Sequence, residues 1–180
     1  MIDVLDQTEG APTSWPIVSG LSMAAAELDQ DMLWQRIESY IAHRWGVREV
    51  VWVLTGEEDD EWRLPLTPLI SHEAEKWESG AWVSTTIAAG PVGLCLPSDG
   101  TFRVTAQIGG AGAVPAAVYE AFRRLAEYST ETEDRGGVSD YSVSLGGGAI
   151  QTSYSRNPAF MARALINSGA ADLLRPYRRA

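Results

Sequence analysis

Residues 101–108 constrain the fold more than any other stretch. Phe102, Val104, Ala106 and Ile108 alternate with Arg103, Thr105 and Gln107. A period of two puts one set on each face of an extended strand, which a helix cannot do. The pattern predicts a half-buried antiparallel strand. Ser98-Asp99-Gly100 precedes it as a hairpin turn with Gly100 at positive φ, and Leu94–Leu96 supplies the partner strand. EVVWVL, WRLPL, AEKWES, AWVSTTIA and GLCL extend the same character back to residue 49 as short β-prone runs between turn residues. Pro65 and Pro68 mark an edge or a break.

Helical signals flank this region. Ser22 is a candidate cap for a first helix to about Trp45, with Leu28, Met32, Leu33, Ile37, Tyr40 and Ile41 near helical spacing. Pro115 opens a second, whose Val118, Phe122 and Leu125 form an apolar face opposite Arg123, Arg124 and Glu127, and which ends near Tyr128. Asn157-Pro158 starts a third, with Phe160, Met161, Ala164 and Leu165 inward and Gly169 closing it. The expected architecture is α+β: a small frame of about three to four helices carrying an inserted antiparallel β excursion, with an extended C-terminal docking segment. Residues 1–21 read as a flexible acidic lead and 22–180 as one domain. Within that domain lie the β-rich excursion, about 49–108, a glycine-rich loop, 129–156, and a C-terminal helix and tail, 157–180.

Composition narrows the function. The net charge is -10 and is uneven, since residues 1–99 hold 17 acidic and 5 basic side chains against 7 and 9 in residues 100–180. Such a surface does not seek nucleic acid as a whole. No apolar run approaches the ~18 residues of a membrane span, and the acidic N-terminus is unlike a secretory leader. His43 and His72 stand outside any HExxH or CxxC spacing, and Cys95 sits between two leucines without a histidine near it in sequence. The glycines at 109–112 and 146–148 lack the order of a phosphate-binding loop. No catalytic residue, metal or cofactor is therefore expected. Seven tryptophans, six of them within residues 34–82, suit a protein that binds other proteins.

An ordered set of segments then carries a resemblance: ESYIAHRW, EWRLPLTPLIS, FRVTAQIGG, VPAAVYEAFRRLAEY, GGVSDYSVSLGGGAIQTSYS and the terminal LLRPYRR. Over roughly residues 30–180 the chain resembles the head–tail connector (adaptor) proteins of long-tailed phages, in particular the adaptor of alphaproteobacterial gene transfer agents. The resemblance implies a structural virion protein without enzymatic activity, located at the head–tail interface of a phage or gene transfer agent particle assembled in the bacterial cytoplasm. It implies a ring of twelve copies below the portal protein that meets the next connector, the stopper ring. Through it DNA passes without sequence-specific binding and without a membrane.

The residues expected to meet partners are Leu173, Leu174, Arg175, Pro176, Tyr177, Arg178 and Arg179 on the portal side, and Trp62 and Trp82 between copies. Leu173, Leu174 and Tyr177 would be anchors, and the arginines would fork onto carboxylates of the partner. Cutting the chain after Asp172 would then leave the fold intact. The alternatives are a stopper or tail-completion protein of the same particle, which would depend more on a β barrel, and a soluble interaction protein with no virion role.

Overall fold

The computed structural model describes residues 1–110, 112–133, 140–145, 150–155 and 162–178. Strand β8 (Gly100–Ile108) lies at the centre of a five-stranded antiparallel sheet of order β1-β2-β8-β4-β5. Its companions are β1 (Asp3–Glu9), β2 (Arg48–Gly56), β4 (Leu69–Glu78) and β5 (Ala81–Thr85). Register places Trp52 opposite Val104 and Val104 opposite Ala74, so one apolar row crosses three strands. On that face Val50, Trp52, Leu54, Phe102, Val104 and Ile108 are fully buried. A second sheet of order β3-β7-β6 joins β3 (Glu61–Trp62), β7 (Leu94–Cys95) and β6 (Ala88–Ala89). It adds Trp62 and Leu94 to the same core, with Leu64, Leu66, Ile87 and Leu96 from its flanking segments. Each large side chain buried here contributes about 1.5–3 kcal/mol. The small sheet closes tightly: a Cβ on Gly93 would collide with the carbonyl oxygen of Trp62, so only glycine fits.

This overturns the expected architecture. Eight strands in two antiparallel sheets over residues 3–108 dominate the protein, and the β region is not an excursion on a helical frame. The chain order is the reverse, with helices α1 and α2 standing between β1 and β2. The acidic lead supplies an edge strand. Residues 3–9 pair antiparallel with 50–55 across a bulge near Leu5, and Gln7 accepts a 2.8 Å hydrogen bond from the Trp52 indole N–H.

Residues 1–16 and 42–113 form this first compact unit, and 17–41 and 114–178 form a second. In the second, the single helix expected over 22–45 is two. Helix α1 (Met23–Ala26) is capped by Ser22, whose hydroxyl accepts from the Ala25 N–H. Helix α2 (Gln30–Tyr40) restarts at Asp29, which accepts from the Met32 N–H. Helix α2 stops at Tyr40, so His43 lies in an extended segment bridged to Thr67 and not on a helix. Helix α3 (Ala116–Glu133) buries Val118, Ala121, Phe122, Leu125 and Ala126 completely, and Phe122 packs on Trp34 of α2 at 5.0 Å between ring centres. Ser22 also fastens α1 to α3: its N–H and hydroxyl both donate to the Glu127 carboxylate, at 2.8 and 2.7 Å.

Within the segment read as a glycine-rich loop, β9 (Asp140–Leu145) and β10 (Ile150–Ser155) pair antiparallel. Helix α4 (Ala164–Asn167), helix α5 (Ala170–Leu174) and a 3-10 turn (Arg175–Tyr177) complete the unit. The expected extended C-terminal segment is thus helical, and Leu174 is fully buried because α5 packs against α3. Arg179, the glycines at 136–137 and 146–148, and the helix start at Asn157-Pro158 with Phe160 and Met161 lie outside the described residues.

Candidate functional site

None of the described His, Cys, Asp and Glu side chains gather as three or more around a possible metal position, and no described helix is long and apolar enough to cross a membrane. His43 lies 4.5 Å from the Trp45 ring, and Nε2 of His72 is 3.2 Å from the Ile87 carbonyl oxygen. A polar cleft of about 520 Å³ opens where the chain leaves the sheet after β5, lined by His72, Glu73, Glu75, Ser84 and Thr105 among others.

A carboxylate shared by two buried arginines fastens the first unit. The Glu9 carboxylate at the end of β1 accepts from Arg44 through Nε (2.7 Å) and a terminal nitrogen (3.2 Å), and from Arg48 at 2.7 Å. Both guanidinium residues are buried, at 8% and 6% exposure. The guanidinium of Arg48 also lies 5.0 Å over the Trp15 ring and donates to the Gly46 carbonyl. Burial pushes the Glu9 carboxyl up, but the hydrogen bonds and charges of Arg44 and Arg48 outweigh it and hold the group below its ordinary range. The arrangement is a clamp on the N-terminal strand.

The two tryptophans expected between copies occupy different environments. Trp62 is a core residue, 4% exposed, edge-on to Trp52 at 5.2 Å. It is out of reach of a partner. Trp82 is half-buried on the wet face of β5, with the Arg103 guanidinium 4.7 Å over its ring and Trp77 edge-on at 5.0 Å. Arg103 in turn donates to Glu75 at 2.7 Å. Trp77, which the sequence did not single out, is 47% exposed and is the tryptophan of this pair most open to a partner. Its β4 partner position opposite Trp82 was visible only once the register was known.

The C-terminal residues divide in the same way. Leu174 is in the core of its unit, Leu173 and Tyr177 are half-buried, and Arg175, Pro176 and Arg178 are exposed. Arg178 stacks 4.6 Å over Tyr40 and donates to its hydroxyl, and Arg175 pairs with Asp172 at 3.2 Å. Both arginines therefore have partners within the chain. Truncation after Asp172 is now expected to destabilise the second unit, because removing Leu174 leaves a cavity worth about 2–5 kcal/mol. Thermal melts of the truncated chain and of Leu174→Ala, followed by circular dichroism, should both shift down, whereas Arg178→Ala should shift little. A truncated chain melting with the parent would restore the detached tail.

Comparison with known protein families, curated proteins and solved structures finds no match to this chain.

Proposed function

We propose that this chain is a structural subunit of a phage-like particle, a head–tail adaptor that forms a ring below the portal and extends the DNA channel toward the tail. The observation that carries the reading is the β9–β10 hairpin. Its two strands form a sheet of their own and pair with no other described strand. A lone two-stranded ribbon is marginal in water and gains stability from a third strand or a covering surface. A ring of identical copies offers such a surface to every subunit at once, through two different faces of each copy. The acidic first half suits a conduit, since like charge leaves no phosphate contacts to break as DNA slides. In this reading the partners are the portal, the next connector and neighbouring copies, and the subunit performs no chemistry.

The dominance of β structure favours a second reading, a stopper that sits on an adaptor ring and not on the portal. Native mass spectrometry separates the two. An adaptor is expected to be monomeric alone and to assemble as a ring when mixed with its cognate portal. A stopper is expected to ignore bare portal and to bind portal already carrying an adaptor ring. A chain that stays monomeric with both overturns the connector function.

A further inference from the structure

The five-stranded sheet has two open edges, and they are guarded differently. Strand β1 carries Asp3, Asp6 and Glu9 along its seven residues. Charges of this kind deter another strand from pairing there. Strand β5, Ala-Trp-Val-Ser-Thr, has neither charge nor proline, and among the described strands it pairs on one side only, with β4. The core layer is also left open at this edge. Val83 stands opposite Lys76, and Lys76 opposite Phe102, so Val83 belongs to the core face of the sheet. Yet Val83 is 46% exposed while Phe102 is fully buried.

The β9–β10 hairpin has the complementary pattern. Register pairs Tyr141 with Tyr154, Val143 with Thr152 and Leu145 with Ile150, while Asp140, Ser142 and Ser144 pair with Ser155, Ser153 and Gln151. Strand alternation puts the first three pairs on one face of the ribbon and the polar pairs on the other. Its strands are six residues long and β5 is five. Resting on the adaptor reading, we infer that the β9–β10 hairpin of one copy adds to the β5 edge of the next. Main-chain hydrogen bonds extend the sheet, and the apolar ribbon face continues the core layer over Val83. The occupant is a second copy of this chain. The donor and acceptor are different parts of the molecule, so the contact is heterologous, the type from which a closed ring is built when the rotation per copy closes.

Thiol cross-linking within the portal-bound assembly tests this. Cys95 is the chain's one cysteine, so Cys95→Ala leaves only introduced thiols. One chain carries Val83→Cys. A second chain, of different mass, carries Val143→Cys or Thr152→Cys. A short thiol-reactive linker should join the two into a heterodimer when they are co-assembled on portal. A single chain with both cysteines should give oligomer ladders. Separately, Val83→Lys should keep its circular dichroism spectrum and weaken ring formation by about tenfold or more. A ring that forms without heterodimer cross-links, or with only intrachain or Val83-to-Val83 products, overturns the inference and leaves the adaptor function standing. Failure of the unsubstituted chain to assemble on portal overturns both.

Discussion

Replacing Trp52 by alanine should cost about 3–5 kcal/mol, the range for deleting a large buried aromatic. Most small domains hold only about 5–15 kcal/mol in total. The side chain is fully buried between β1 and the small sheet, edge-on to Trp62, with its indole N–H on Gln7. Its loss opens a cavity, removes an aromatic pair, and deprives β1 of a side-chain tie. Trp52→Phe restores most of the apolar volume but not the hydrogen bond, and should recover more than half of the loss. Trp82→Ala, on the wet face, should cost far less. Urea midpoints for the three variants check the order. A Trp52→Ala midpoint no lower than that of Trp82→Ala would contradict the assignment of the core to this side of the sheet.

Glu9→Ala should be nearly as damaging, about 3 kcal/mol, because one carboxylate serves two buried guanidinium groups. Its sign with pH is fixed by linkage. The folded-state value of Glu9 lies below the ordinary 4.5, so its contribution is fully present above that value and fades as pH falls through the lower folded one. The stability gap between the parent and Glu9→Gln should therefore be constant near neutrality and narrow below about pH 4.5. Asp60, Glu120 and Glu127 are also held low. They sensitise parent and variant alike and cancel in the difference. Denaturation midpoints across the acid range supply the measurement, and a gap that widens toward acid would refute the clamp.

What the sequence disclosed follows from burial on one side. The alternation of Phe102, Val104, Ala106 and Ile108 appears as β8, because one face meets the core and the other meets water. Gly100 takes the expected positive φ, at 141°, but the expected hairpin does not form: Leu94–Cys95 pairs with β3 and β6 in the small sheet, and β8 pairs with β2 and β4. The second expected helix begins just after Pro115, as its fixed φ favours, but runs past Tyr128 to Glu133. Strand β1 was hidden for the opposite reason. Nearly all its residues are exposed, so neither face selects apolar side chains and the segment reads as an acidic lead. It is held by a main-chain ladder and by Glu9, whose partners lie 35 and 39 residues away in sequence. The break between α1 and α2 was written in Asp29, a good cap that the apolar spacing through Leu33 and Ile37 overshadowed. The candidate surface was legible only in part. Tryptophan content singled out residues 34–82, but which of these tryptophans are sealed depends on strand register, and composition carries none of that.

The central strand of the sheet is the last of the five to be synthesised. Strand β8 sits between β2 and β4 but follows both in the chain. About fifty residues are added between the end of β2 and the end of β8, several seconds of translation at roughly 5–20 residues per second. Until β8 is made, Val50, Trp52 and Leu54 lack the strand that pairs beside β2. A growing chain of this kind should depend on holding chaperones at the ribosome. Messages broken before the codon for Gly100 should yield fragments that proteases clear and that never accumulate as soluble half-sheets.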